Sequence, residues 1–347
     1  MEIIKPGTNI DFVGKRKIAY SISGALILLS IISLIVHGGP KFGIDFVGGS
    51  VIQVKFSQQT PIDKIKEGLR AIDIENATVQ NMGAATDNEF LIRIDATDIN
   101  SQEFTPALKQ ALASAVGAEA DIRRVELVGP QVGRDLQEKA LLAIFFSLIF
   151  LAIYISGRFE FKWAQSGIVA LVLGGAVYGL YTFGISMALI IVVALAVTLA
   201  LFWVLGLKYA LGAVLALIHD VTITVGALSL MDKEITLTVI AALLTIIGYS
   251  LNDTIIVYDR IRENIKKLHK TPLGEIINRS VNETLSRTIL TAGTVFVVVM
   301  ALFFLGGDII HDFAFALLVG VLIGTYSSIY VASPIVLTWE ERSKKKK

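Results

Sequence analysis

Long charge-free stretches separated by short charged ones dominate the chain. Ile18–Val36 runs 19 residues without a charge, Ala140–Gly157 runs 18, Gln165–Leu207 runs 43, Thr288–Gly307 runs 20 and Phe313–Trp339 runs 27. Tyr209–Met231 is broken only by His219-Asp220, and Ile235–Tyr258 only by Asp253. About 20 residues of helix cross a ~30 Å hydrocarbon core. The pattern therefore predicts eight spans, with a turn at Thr182-Phe183-Gly184 dividing the longest block in two.

Residues 41–138 follow a different rhythm, in which period-two and amphipathic runs alternate. Ser50–Phe56 reads as a strand, and Pro61–Ile72 as a helix with Thr60 as N-cap and Pro61 at its first position. Asn76–Met82 and Glu89–Asp95 read as strands joined by a Gly-Ala-Ala-Thr-Asp-Asn turn. Ser101–Val116 reads as a helix and Asp121–Val128 as a strand. The order βαββαβ is the ferredoxin-like α+β pattern. A block of this size can hold its own core. It carries ten Lys and Arg against fifteen Asp and Glu, a net charge of −5.

Composition agrees with a membrane protein: 54% of residues are apolar and 18% charged, against roughly 25% charged in soluble domains. The overall charge of +1 is uninformative because it is unevenly placed. There is no cysteine, and the four histidines, His37, His219, His269 and His311, have no metal-site spacing. Disulfides, thiolate chemistry and a P-loop are excluded. No enzymatic chemistry, metal, cofactor or nucleic-acid partner is expected.

Lys15-Arg16-Lys17 before the first span places residues 1–17 in the cytoplasm by the positive-inside rule. Alternation then puts residues 41–138 outside, and Arg158–Lys162, Lys208, the 259–287 loop and the basic tail 340–347 inside. Short outer loops carry Asp232, Glu234, Asp308 and Asp312 against Lys233 alone. Trp163, Trp203 and Trp339 all fall at the inner interface. The first span is too long for a signal-peptide core and lacks a cleavage site, so it reads as a retained anchor.

Two glycine motifs flank the soluble block: Gly43-Ile-Asp-Phe-Val-Gly-Gly49 and Val128-Gly-Pro-Gln-Val-Gly133. Then come Arg158-Phe-Glu-Phe-Lys-Trp163, Ala216-Leu-Ile-His-Asp-Val221 and Gly248-Tyr-Ser-Leu-Asn-Asp-Thr-Ile-Ile-Val-Tyr-Asp-Arg-Ile-Arg-Glu-Asn264. In this order, over roughly residues 10–162 and 208–340, they resemble the SecF family of protein-export membrane proteins. The resemblance implies an RND-superfamily bundle in a prokaryotic cytoplasmic membrane. It implies SecD as partner, association with the SecYEG channel and YajC, and preprotein as cargo moved by the proton motive force.

One departure from the family stands out. Lys162-Trp-Ala164 is echoed by Lys208-Tyr-Ala210, a spacing of 46 residues, where the family runs directly from the basic loop into the His-Asp span. Six family spans plus an extra hairpin at 165–207 keep all later segments on their expected sides. The hairpin could pack outside the core or wedge into it. Gly175-x-x-x-Gly179 could form a close-packing face or be ordinary membrane-helix glycines.

Asp253 is the foremost candidate site residue. An ionised carboxylate at the bilayer centre costs about 2.5–3.5 kcal/mol on insertion scales, so it is kept when it pairs, faces a cavity or carries protons. A structural hydrogen bond is the plainer alternative. Arg287 would be its counter-charge at similar depth, unless it snorkels to the headgroups. His219 and Asp220 could relay protons or join helices. Asp259 and Arg260 read as interfacial. Asp45, among Gly43, Gly48 and Gly49, and the return junction Gly129, Pro130 and Gly133 could be hinges or simply tight turns. The Lys344–Lys347 run reads as a tail facing anionic membrane lipids.

Two other function classes fit the same chain. One is a stand-alone proton-coupled exporter of small molecules, which would need a second copy to supply its missing half. The other is a passive clamp on a translocon.

Overall fold

The computed structural model describes residues 8–75, 77–82, 87–94 and 101–345, with backbone alone at 101–103, 308, 309, 344 and 345. Asn76, most of the expected turn at 83–88, Asp95 and the side chains of the Lys344–Lys347 tail lie outside the described residues. The chain forms two compact units. One comprises Met1–Lys41, Ala140–Gly306 and Ile310–Lys347; the other comprises Phe42–Lys139 with Gly307–Ile309.

The smaller unit contains a short helix α2 (Ile44–Val47), strand β1 (Gly49–Phe56), helix α3 (Ile62–Arg70), strands β2 (Ala77–Met82) and β3 (Glu89–Ile94), helix α4 (Ser101–Val116) and strand β4 (Ala120–Val128). The sheet order is β2-β3-β1-β4 with every neighbouring pair antiparallel. β1 alternates as its sequence requires: Ile52, Val54 and Phe56 are buried and face Ile65 and Leu69 of α3 and Leu108 and Leu112 of α4. Each such side chain contributes about 1.5–3 kcal/mol by leaving water.

The expected Thr60 cap is not formed. Pro61 is itself the N-cap residue, in extended conformation, and the Thr60 hydroxyl donates to the Gln58 carbonyl instead. The proline ring carries no acceptor, so as N-cap residue it leaves the first-turn N–H groups without a side-chain cap.

The two glycine motifs meet. β1 begins opposite the end of β4, with Gly49 paired to Val128. Gly48 has φ +83°, and a Cβ on it would lie 2.9 Å from Pro130 Cα. A Cβ on Gly133 would lie 2.7 Å from the Phe46 carbonyl oxygen. Close backbone approach is thus sufficient reason for these glycines.

Among the described residues, eight helical segments are long and apolar enough to cross a membrane, as the charge-free stretches predict. They are α1 (Arg16–Val36), α5 (Pro130–Ile155) with a π-helical turn at Ser156–Glu160, α6 (Trp163–Thr182), α7 (Met187–Leu205), α8 (Lys208–Leu230), α9 (Leu237–Lys267), α10 (Leu273–Leu305), and α11 (Asp308–Ser327) continuing through a π-helical turn at Ser328–Ala332 into α12 (Ser333–Lys345). α8 is the most enclosed.

Lipid gives apolar helices little reason to prefer one another, so close approach at small residues has to hold them. A Cβ on Gly226 of α8 would fall 2.1 Å from Ser30 of α1, one on Gly320 of α11 2.2 Å from Ile246 of α9, and one on Gly324 2.9 Å from Ser250.

The extra hairpin is α6 and α7, joined at Phe183 and Gly184, where φ is +75°. It packs on α5, with Leu173, Val177, Met187 and Ile190 against Phe145 and Ile149, and α7 also lies along α8. It buries little of itself. Gly175 and Gly179 meet nothing within 4 Å and form no packing face. The chain closes behind the hairpin: the Glu160 carboxylate accepts the Tyr209 N–H at 2.9 Å, and Lys162 donates to the Leu205 carbonyl at 2.8 Å. The family-like path is therefore continuous past a looped-out flank.

Residues 259–287, expected as a loop, are helical except at 268–272. Apolar spacing accounts for this: Ile261 of α9 and Ile276, Ile277, Val281 and Leu285 of α10 are buried. The segment before α1 is strapped across α10. Asn282 accepts the Ile10 N–H, Asn278 accepts those of Phe12 and Val13, and both amides donate to the Ile10 carbonyl. Phe12 is buried, edge-on to Tyr330.

Gly226→Leu should lower the thermal midpoint of the purified protein in detergent, because overpacking typically costs about 1–3 kcal/mol. Gly167→Leu, at a position with nothing within 4 Å, should leave it unchanged. Equal midpoints for both variants would contradict the α1–α8 contact.

Candidate functional site

A buried polar cluster lies where α1, α8, α9 and α11 meet. Its centre is Asp220, which has no exposed surface. The Ser250 hydroxyl from α9 donates to Asp220 Oδ2 at 2.6 Å, and the Ser327 hydroxyl from α11 donates to the same oxygen at 2.8 Å. His219 Nδ1 lies 2.9 Å from Asp220 Oδ1, and His219 Nε2 lies 3.1 Å from Ser23 Oγ of α1. Ser23 donates to the Tyr326 hydroxyl, which donates to the Ala19 carbonyl at 2.7 Å. Tyr326 also stacks on the His219 ring at 21°. The result is a hydrogen-bonded line from α1 through His219 to Asp220, branching to α9 and α11.

The π-helical turn after Ser327 shapes one side of this cluster. It places Ser328 Oγ 2.9 Å from Thr254 Oγ1 of α9, and lets Ser333 donate to the Ser328 carbonyl. π turns occur often at functional sites.

Asp253 lies on α9, three residues beyond Ser250, and is 1% exposed. Its Oδ2 is buried without a hydrogen-bond partner, as is Thr288 Oγ1 of α10. Arg287 is exposed. No ion pair joins it to Asp253 within 4.0 Å among the described residues. The expectation of a direct pair is not met, because Arg287 lies on the open side of α10. Asn252 is exposed and takes no part in the cluster.

The basic loop uses nearly every residue. Arg158 pairs with Asp259 at 2.7 Å, and Phe159 packs on Tyr209 and Tyr258. Glu160 and Lys162 cap α8 and α7. Phe161, at φ +57°, lies under the Arg262 guanidinium. Arg260 pairs with Glu263 and Glu283.

The sequence reading located Asp253, His219 and Asp220 but missed Ser23, Ser250, Ser327 and Tyr326. Serines inside apolar helices usually satisfy themselves on a carbonyl one turn back, so spacing alone did not distinguish these. Asp45 and the glycines at 43, 48, 49, 129 and 133, with Pro130, lie in the smaller unit and are not part of this cluster.

The sequence profile described as protein export membrane protein SecD/SecF, C-terminal, matches residues 108–207 and 175–342, and that of the SecD/SecF GG motif matches residues 33–60. The two C-terminal matches overlap inside the extra hairpin. Protein translocase subunit SecF of Magnetococcus marinus is 42% identical over 350 residues, covering 100% of this chain and 97% of the relative. That of Calditerrivibrio nitroreducens is 41% identical over 340 residues, covering 97% and 96%. The crystal structure of SecDF, a translocon-associated membrane protein from Thermus, superposes with a TM-score of 0.74 at 30% identity. It covers 97% of this chain, which spans 39% of that longer one.

Asp220→Ala would strand the Ser250 hydroxyl and take one partner from Ser327, which keeps the Gly324 carbonyl, and from His219, which keeps Ser23. The thermal midpoint in detergent should fall clearly, at about 1–3 kcal/mol for each stranded buried group. Asp253→Asn removes no partner of Oδ2 and relieves a buried charge, so its midpoint should hold or rise. A reversed order would show that Asp253, not Asp220, is the structural hub.

Proposed function

The chain belongs to the SecF family of protein translocase subunits, and we propose that it couples proton movement to a change in helix packing that helps move preproteins. The observation that carries this reading is the buried Asp253 carboxylate with one oxygen unsatisfied. Within a membrane such a group is costly unless it is neutralised, paired or transiently protonated. Asp220 already has its partners, whereas Asp253 has Arg287 only at a distance. Protonation of Asp253 removes its attraction to Arg287 and its demand for donors, and α9 can shift against α10.

The His219–Asp220 line offers a route for the same proton or a sensor of the shift, because imidazole changes charge near neutral pH. SecD is the partner, as in the SecDF relatives. α10 buries little of itself within this chain, which suits helices from a second subunit completing the Asp253 side. The glycine junctions at 43–49 and 129–133 would carry the motion toward the sheet, which holds or releases preprotein emerging from SecYEG, with YajC as a further companion. The protein is a multi-pass protein of a prokaryotic cell membrane. The basic residues at the ends of its spans favour both termini in the cytoplasm and residues 41–138 outside by the positive-inside rule. The relatives favour neither the stand-alone exporter nor the passive clamp.

Export into vesicles bearing this chain with its SecD partner should gain from an imposed proton gradient. Asp253→Asn should abolish that gain and Arg287→Gln should reduce it sharply, while gradient-independent export persists. An intact gain in Asp253→Asn overturns the mechanism.

The chain has no cysteine, so Lys208→Cys and Lys233→Cys can be labelled singly in whole cells. An impermeant thiol reagent should reach the second and not the first. Labelling of both from one side would refute the eight-span orientation.

A further inference from the structure

At the end of the bundle that carries the C-terminal basic residues, α1, α7, α8 and α12 leave a groove of about 500 Å³. That is within the ~300–1,000 Å³ common for small-molecule sites. Its walls are Leu199 and Ala200 of α7, Leu211 and Leu215 of α8, and Ile335 of α12. The charged group and both indoles gather at one end, and Tyr20 and Thr338 complete the lining. Trp203 and Trp339 meet edge to face there at 4.3 Å, and Arg342 stands over the Trp203 ring at 5.8 Å. From Arg342 to Ile335 along α12 is about 10 Å of helix rise, and from Trp203 to Leu199 along α7 about 6 Å. The groove thus runs along the helices, from a charged aromatic rim into an apolar interior.

The charges at the rim are unequal. Glu340 is held by Lys208 at 2.8 Å, and Glu341 by Arg16 at 3.1 Å. Arg342 has no ion pair among the described residues, and the sequence continues with four lysines. Tryptophans at this level mark the headgroup region of a membrane. A ligand that fits is long, narrow and apolar, with a negative head.

We propose that this groove seats one acyl chain of an anionic phospholipid, with the headgroup phosphate on Arg342. Net charge sets the preference, since a zwitterionic lipid brings its own cation to a site that already has one. α7 belongs to the extra hairpin, so the hairpin is what builds this site. The proposal requires only that the chain lies in a membrane, and it stands or falls independently of proton coupling.

The test uses the full chain carrying Trp163→Phe, which leaves Trp203 and Trp339 as the indole reporters. It is reconstituted into vesicles of equal phosphatidylglycerol and phosphatidylcholine, with bromine on the acyl chains of one lipid or the other. Brominated phosphatidylglycerol should quench more strongly, to a degree matching about fivefold local enrichment, which is what ~1 kcal/mol per basic residue near a membrane surface amounts to. Arg342→Gln should bring the two lipids to parity. Ala200→Phe, or Leu199→Phe if that variant does not fold, should also abolish the preference by filling the groove. Removal of Lys344–Lys347 should leave it. Equal quenching in the parent overturns the proposal. So does a preference that follows the lysine tail, or one that survives a filled groove, which would mean that the headgroup is attracted without a seated chain or that a protein segment occupies the site.

Discussion

A carboxylate sealed away from water has to find its hydrogen bonds in protein, and the arrangement of the membrane unit follows from how Asp220 finds them. Ser250 brings in α9, Ser327 brings in α11, and His219 reaches on to Ser23 of α1. Each of these bonds fixes a helix in rotation as well as in distance. Small residues permit that geometry: Gly324 lets Ser250 approach α11, and Gly226 lets α1 lie against α8. Remove the acceptor and the Ser250 hydroxyl has no partner left, while Ser327 falls back on the Gly324 carbonyl of its own helix and no longer ties α11 to α8. A satisfied buried network rigidifies, and a half-satisfied one is worse than none. This one is satisfied.

Asp253 presents the opposite case three residues further along the same helix. It is buried as deeply, yet one oxygen has no partner and the available cation stands off on the exposed side of α10. The two acids therefore divide the tasks that an intramembrane carboxylate can perform. One is a fastener, and the other is a group held in an environment it does not complete alone. Because Asp253 shares α9 with Ser250, the proposed mechanism would carry a change at Asp253 to the fastener through Ser250 and Thr254, both of which bond Ser328 of the π-helical turn. On the proposed mechanism, an over-determined anchor beside an under-determined acid would let the packed bundle move between discrete states rather than deform continuously.

Much of this was legible before any coordinates. Charge-free length located the eight spans, and the Phe183-Gly184 turn was marked by the residues themselves. Period-two alternation placed β1 to within one residue. What escaped detection did so for physical reasons. Ser30 and Thr198 bond a carbonyl on their own helix, whereas Ser250 bonds Asp220 and Ser327 bonds both Asp220 and the Gly324 carbonyl, yet all four look alike in sequence. The polar stretch 259–287 reads as loop because its charges outnumber its apolar positions, although those positions recur at helical spacing and are buried. Arg287 shared a plausible depth with Asp253, but depth says nothing of azimuth, and its azimuth points away. The resemblance carried the motifs, and the structure supplied the reason for several of them, most clearly the basic loop in which Glu160 and Lys162 close the chain across the hairpin.

The strap formed by Asn278 and Asn282 grips mainly peptide groups: its bonds run to the backbone of Ile10, Phe12 and Val13, with one more to Asn9 Oδ1 at 3.3 Å, and the buried Phe12 ring serves as an anchor. A tether of that sort is indifferent to spelling and strict about count. Substitution drift at Ile10 costs it little, while the loss or gain of one residue between the clamp and the anchor would throw the whole ladder out of step. Evolution should therefore have treated this stretch as a ruler.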